Sequence, residues 1–282
     1  MTVCVAVKVH DCLIFAADSA TSLTGQAPDG EPVVLNVWKH GNKVFNLYKG
    51  KPIAAMTCGM GHMGPASISN LAKDLRRQLV DDPAVKLDLD RYTMREVAEK
   101  SLEFFSQRYA AIAPPIEGPH GFEFWVGGYG AGCDNAEIWK VSLQNGEWQP
   151  LELVANETED GHVSWGGQPQ AINRLLLGFD PAIADALVDF GVPEGAISEL
   201  MAQLQARLAT PLVHSAMPIQ DAIKLADFLV ELTKRYFAFL PGADVVGGAT
   251  DVATVTKHEG FKWIRRKHHY DAALNPRETD HV

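Results

Sequence analysis

The sequence predicts an α+β protein in which helices pack outside a pair of stacked antiparallel sheets, four layers deep. Three observations carry this. Short alternating or wholly apolar runs of strand length fill the first sixty residues, return in the middle of the chain and close it. Two blocks of helical periodicity separate them, giving the order strands, helices, strands, helices, strands. No repeat or linker interrupts the 282 residues, and a composition 46% hydrophobic and 21% charged suits one large core. Residues 1–266 are therefore taken as one domain and the polar stretch 267–282 as a loose tail.

The elements follow in order. Val3, Val5, Val7 and Val9 alternate with Cys4, Ala6 and Lys8, and Cys12–Ala17 is almost wholly apolar, so strands are expected over 3–9 and 12–17. Strands also fit 43–47 and 52–57, with Gly25–Pro32 (GQAPDGEP) as a turn-rich loop between. Ile68, Leu71, Leu75 and Leu79 have helical spacing over 65–81, with Pro65 suited to a first turn. Thr93 with Glu96 reads as a capping box opening a helix whose apolar face is Met94, Val97, Leu102, Phe105 and Tyr109. Strands are expected at Phe122–Gly128, Ala136–Val141 and Pro150–Val154, and helices at 168–177, 182–189 and 193–207. A last helix over 218–238 presents Ile219, Ala222, Ile223, Ala226, Leu229, Val230 and Phe237, before strands at Ala249–Thr256 and Phe261–Ile264.

Composition excludes several classes of function. A net charge of −10 argues against a nucleic-acid surface. No run has the length of a membrane span and no signal peptide is evident, so a cytoplasmic protein without a membrane partner is expected. Cys4, Cys12, Cys58 and Cys133 have no CxxC spacing, and most read as buried thiols of a reducing compartment. GGYGAGC (Gly127–Cys133) reads as a glycine-rich turn, and His258, His268 and His269 lack the acidic or thiol company of a metal site. Lys257, Lys262, Arg265, Arg266 and Lys267 read as a solvated patch or a subunit contact. No cofactor or metal is expected, and without a phosphate-binding loop any ATP dependence would come from a partner.

The chemistry-bearing signal lies at the very start. Thr2 follows the initiator Met directly and is small enough for that Met to be trimmed. Trimming would give one residue both a free α-amine and a hydroxyl, a nucleophile and its own base. Asp18 ends the second strand sixteen residues later. A three-residue turn at Val9–Asp11 would set Asp18 opposite Thr2 and pair Val3, Val5 and Val7 with Ala17, Phe15 and Leu13. That register is favoured because it gathers bulk onto one face; a two-residue turn at His10–Asp11 would set Asp18 opposite Val3. Lys43 opens a later strand and is expected to lie between Asp18 and Thr2, where its charge would ease deprotonation of the hydroxyl. Lys39 is the competing lysine.

These residues together resemble the proteasome β-type N-terminal nucleophile (Ntn) hydrolases, and among them the bacterial proteasome-like HslV- and Anbu-type proteins. The resemblance rests on Thr2 through AADS (Ala16–Ser19), KVF (Lys43–Phe45) and CGMG (Cys58–Gly61). It covers the first seventy-odd residues well, 218–256 in part, and the middle weakly. It implies the αββα fold and a threonine peptidase with Thr2 as nucleophile, Asp18 and Lys43 as its charge partners and Gly59 N–H as oxyanion donor. Asp244 would support the threonine, Thr21 and Ser22 would line a substrate groove, and Thr57 would border the specificity pocket. The implied partners are a peptide or unfolded protein substrate, further copies in a ring or stack, and an ATP-dependent unfoldase. Two serines of the family pattern are missing: Gly166 and Gly247 stand in their places, and the stretch from Asp18 to Lys43 is about nine residues longer than usual. A catalytically silent subunit of such an assembly, and an amidase acting on small amides, remain open alternatives at this stage.

Overall fold

The computed structural model describes residues 2–27, 32–116 and 118–267. Five antiparallel strands form one sheet in the order β13-β1-β2-β14-β15: β13 (His162–Gly167), β1 (Val3–Val9), β2 (Cys12–Ala17), β14 (Asp251–Thr256) and β15 (Gly260–Arg265). The other large sheet runs β11-β10-β9-β6-β5, from β11 (Glu147–Trp148), β10 (Glu137–Gln144), β9 (Gly121–Gly128), β6 (Ile53–Gly59) and β5 (Val44–Tyr48), with β12 (Glu152–Ala155) also on β10. Two small hairpins stand apart: β3 (Thr21–Gln26) with β4 (Pro32–Trp38), and β7 (His62–Met63) with β8 (Ala66–Ser67).

Helices cover the sheets where their periodicity requires it. In α1 (Ile68–Asp81) the residues Ile68, Leu71, Ala72, Leu75 and Leu79 make one buried face. The Ser67 hydroxyl accepts from Asn70 N, so the helix begins three residues later than Pro65 suggested. In α2 (Met94–Ala110) Thr93 caps by accepting from Glu96 N, whereas the Glu96 carboxylate turns to Lys100 at 3.2 Å. Both helices pack with Phe45, Phe122, Phe124, Val126 and Val141 of the larger sheet into one apolar cluster. On the five-stranded sheet, α6 (Ile219–Ala238) and α3 (Gln170–Leu176) pack against Val3, Val5, Val7, Ile14 and Ala16. A third cluster joins the two sheets directly, through Cys4, Ala6, Leu13 and Phe15 from one and Ala54, Met56, Trp125 and Ile138 from the other. The remaining helices, α4 (Ile183–Asp189) and α5 (Glu194–Leu208), bury no residue.

The opening hairpin corrects the expected register. Val9 pairs with Cys12 and Cys4 with Ala17, so the turn is His10–Asp11 and Asp18 stands opposite Val3, with Asp18 N donating to Val3 O at 3.2 Å. The physical reason is that every residue of β1 and β2 is buried. Val3, Val5, Val7, Ile14 and Ala16 face helices while Cys4, Ala6, Leu13 and Phe15 face the other sheet. With apolar partners on both sides, gathering bulk onto one face is no guide to register. Lys8 shares that inner side; it is fully buried and its ammonium donates to Asn156 O at 2.6 Å.

Three sequence expectations meet further changes. The loop expected over Gly25–Pro32 is flanked by strands for which no element was expected, the hairpin β3–β4, on either side of the undescribed residues 28–31. The stretch 162–167, for which no element was expected, is the strand β13 and edges the sheet beside β1. Lys267, where the tail was expected to begin, is tied in: its ammonium donates to Ser19 Oγ at 2.8 Å and pairs with Asp251. His268 and His269 lie outside the described residues. GGYGAGC joins β9 to β10 as expected of a turn. Among the described residues no helix is long and apolar enough to cross a membrane, and no group of three or more His, Cys, Asp and Glu could hold a metal ion.

Phe105 sits wholly buried with its ring 4.8 Å from Phe122 and 4.7 Å from Phe124. Phe105→Ala is expected to lower stability by about 3–5 kcal/mol, read from urea unfolding curves.

Candidate active site

Thr2 precedes β1 and is held between two strands of its sheet. Its carbonyl accepts from Gln168 N at 2.7 Å, just beyond the end of β13. Gly167 stands opposite Val3 at φ +87°, and a Cβ there would overlap the Thr2 carbonyl oxygen. Glycine therefore permits both the left-handed backbone and the close approach that pins Thr2. Thr2 is 3% exposed, and its neighbours on the same side of the strand, Cys4 and Ala6, face the other sheet.

Asp18 organises the ground beneath it. The carboxylate is fully buried and accepts four hydrogen bonds. One oxygen takes Val3 N at 3.1 Å and Lys43 Nζ at 2.6 Å. The other takes Ala20 N at 3.0 Å and Gly247 N at 2.9 Å. Thus Asp18 does not need to share a register position with Thr2: it grips the residue after Thr2 and holds the lysine. The Lys43 side chain is 7% exposed. Burial moves its pKa below the ordinary lysine value, and the charge and hydrogen bond of Asp18 oppose that shift.

Gly59 ends β6. Thr57 N donates to Lys43 O at 2.9 Å on the β5 side, and Met60 N donates to Gly121 O at 2.9 Å on the β9 side. Alternation along an extended strand turns Gly59 N–H to the β5 side, beyond the first residue of that strand. There it faces a cavity of about 330 Å³ whose lining includes Thr2, Thr21, Ser22, Lys43, Thr57 and Gly59. Gly59 adopts φ +88°, and a Cβ would overlap Gly121 O, so no other residue fits this corner without moving β9. Among the described residues β3 pairs only with β4, and its first residues, Thr21 and Ser22, border the cavity. The Thr57 hydroxyl donates to Glu123 O at 2.8 Å.

Of the residues singled out in the sequence, Thr2, Thr21, Ser22, Lys43, Thr57 and Gly59 share this cavity, and Asp18 lies directly behind Lys43. Asp244 does not join them. It pairs with Lys39 at 2.5 Å, its side chain 41% exposed. The competing lysine is thereby engaged away from the cavity. Gly247 contributes through its backbone, donating to Asp18 and accepting from Ser19 N at 2.9 Å, a role that asks for no hydroxyl. Gly166 stands opposite Cys4, and a Cβ there would lie 2.8 Å from Glu123 Oε2 and 3.3 Å or less from the sulfurs of Cys4 and Cys58. The place of the missing serine is thus crowded by a carboxylate and two thiols.

That cluster escaped sequence reasoning. Glu123 Oε2 accepts from Cys58 Sγ at 3.0 Å and from Trp125 Nε1 at 2.9 Å. The hydrogen bond with Cys4, then burial, then the charge interactions with Cys4 and Glu123 push the Cys58 thiol well above the ordinary range, so it stays protonated. The available signal was an acidic residue inside the apolar run Phe122–Val126. Trp38, His40, Asn42, Met60 and Ser69 also line the cavity, and only the unexpected β3–β4 hairpin explains how Trp38 and His40 reach it.

No family model matches the chain, and no curated protein matches it. Solved structures do. A helical assembly of the Anbu complex from Pseudomonas aeruginosa superposes with a TM-score of 0.53 at 16% identity, over 96% of this chain and 90% of that one. Anbu (ancestral beta-subunit) from Yersinia bercovieri gives 0.54 at 15% identity, over 95% and 89%. A Gly-1 mutant of Anbu from Hyphomicrobium sp. strain MC1 gives 0.54 at 15% identity, over 95% and 86%. At such identity the likeness is one of fold, and it extends along nearly the whole chain.

Two outcomes follow from the Asp18–Lys43 pair. Asp18→Asn leaves the lysine buried without its counter-charge and is expected to destabilise the fold by about 3–5 kcal/mol, read from urea unfolding. In the same variant the Lys43 titration, followed by NMR of its side-chain resonances, is expected to move further down, because the group that raises it most has been neutralised. An unchanged midpoint would contradict the pairing.

Proposed function

We propose that this chain is an N-terminal threonine peptidase on a four-layer αββα Ntn-hydrolase fold, with residues 1–266 as its domain, acting in a self-assembled proteasome-like complex. The observation that carries the proposal is the convergence of Thr2, Lys43 and the Gly59 N–H on one cavity, with Asp18 anchoring both Val3 and Lys43. Removal of Met1 would give Thr2 a free amine.

An α-amine has a reference pKa of about 7.7–8.0, so on the order of a tenth is neutral at pH 7. It is the natural proton acceptor for the Thr2 hydroxyl, directly or through a water. Lys43, kept beside Asp18, contributes positive charge that favours the developing alkoxide. Thr2 Oγ attacks the amide carbonyl, and Gly59 N–H stabilises the oxyanion, worth roughly 3–4 kcal/mol. The amine passes its proton to the leaving nitrogen, and water then hydrolyses the Thr2 ester. An extended peptide would lie along the outer edge of β3, past Thr21 and Ser22, with a side chain toward Thr57. Asp244 would act at a distance if at all, by fixing Lys39 and the loop that carries Gly247.

Exposed apolar residues fit self-association: Leu35 and Trp38 on the β3–β4 hairpin, Phe190 after α4 and Phe239 after α6 are 52–89% exposed. The P. aeruginosa Anbu complex forms a helical assembly, and a ring or stack of copies is the arrangement proposed here. An ATP-dependent unfoldase would feed it unfolded chains in the cytoplasm.

The proposal predicts that the full-length protein cleaves members of a fluorogenic peptide panel and leaves small non-peptide amides intact. Thr2→Ala should abolish cleavage and Thr2→Ser should retain part of it. A wild-type rate no greater than that of Thr2→Ala would refute the mechanism; cleavage confined to small amides would replace peptidase by amidase.

A further inference from the structure

A second cavity of about 270 Å³ adjoins the candidate active site, sharing Asn42 and Ser69 with it as a common wall. Its charged lining is Lys49, Lys73, Arg76 and Arg266, with no carboxylate among the lining residues. None of the four makes an ion pair among the described residues. This gathering of cations occurs on a chain whose net charge is −10, where the overall balance would favour the opposite sign.

Two of the cations are held in place. Arg76 is half-buried and donates to Asn46 O at 3.4 Å. Arg266 lies over the Trp263 indole, 4.9 Å from the ring centroid. Acids stand on the far side of three of them: Asp74 and Asp81 line an adjoining hollow that shares Lys49, Lys73 and Arg76 with this cavity, and Asp74 pairs there with Arg77 at 3.3 Å.

We infer that this cavity is a substrate subsite for a carboxylate, so that the cleft selects extended peptides carrying an acidic group a few residues from the scissile bond. The inference rests on the reading of the Thr2 cleft as a peptide site. Spacing supplies the reach. Along β5, Lys43 to Asn46 is about 10 Å at ~3.3 Å per residue. Along α1, Ser69 to Lys73 and Arg76 is about 6 and 10 Å at ~1.5 Å per residue. A peptide extended from Thr2 past the Asn42–Ser69 wall therefore brings its second or third neighbouring residue among the four cations. Arg76 and Arg266 offer planar donor arrays suited to a carboxylate, and Lys49 and Lys73 add charge at the rim.

The test uses three peptides of equal length on the full-length protein. One carries Glu at the third residue from the cleaved bond and an amidated C-terminus; the second has Gln there; the third has Gln and a free C-terminal carboxylate. Binding is read by fluorescence anisotropy and turnover by kcat/KM. A carboxylate peptide should bind about tenfold tighter than the amidated Gln peptide at low salt, with the advantage shrinking as salt rises. Preference for the first peptide identifies a side-chain carboxylate, and preference for the third a chain terminus. Lys73→Glu or Arg76→Glu should collapse the ratio measured within that variant. Equal affinities for all three peptides, or no binding of any, would overturn the subsite. Selective binding without cleavage would uphold it while sinking the peptidase reading; cleavage with no selectivity would do the reverse.

Discussion

Asp18 takes donors from four separate parts of the chain: Val3 at the start of β1, Ala20 beyond β2, Lys43 before β5 and Gly247 before β14. A fully buried carboxylate is tolerable only when its oxygens are satisfied, and leaving one unpaired costs several kcal/mol. Every partner is therefore constrained to arrive at one point. Since Val3 is bonded to Thr2 and Lys43 lines the cavity, the satisfaction of one carboxylate also fixes the two side chains on which the proposed chemistry depends. Neighbouring bonds from Ser19 to Gly247 and from Gly41 to Ser19 extend the same knot.

Above that knot the backbone must come unusually close. Gly167 lets β13 press against the Thr2 carbonyl, and Gly59 lets β6 turn at the edge of the cleft without striking β9. The site is thus made mainly of main chain: a strand start, a strand end and a glycine corner, with few side chains to lose. This explains how Gly166 and Gly247 can stand where hydroxyls were expected. Gly247 works through its N–H, and the space beside Gly166 is taken by Glu123, Cys4 and Cys58.

Much of this was legible in the residues. Helix α6 and helix α2 announced themselves by periodicity, and Thr93 by its cap, because those signals are local. Thr2, Lys43 and Gly59 were visible through their places at strand ends. The hairpin register was not, since β1 and β2 are buried on both faces and alternation carries no information there. Strand β3 was hidden by its polar, glycine-bearing sequence, β4 by following a turn-rich loop despite its apolar run, and β13 by being short and half-exposed. Asp244 came from the resemblance alone, which gives a place in the chain and not the partner that a side chain meets; here it pairs with Lys39. Glu123 is an inward acid that meets Cys58 of β6 and Trp125 of β9, and such a meeting is written only in the tertiary structure.

The central claim is that the hydroxyl and the α-amine of Thr2 act together. An epoxyketone peptide tests it most directly, because its stable adduct closes a ring through both groups. Intact mass and peptide mapping of the treated protein should show Met1 absent and a single adduct confined to Thr2, with none on Thr2→Ala. A protein that keeps Met1 and takes up no inhibitor would contradict the account.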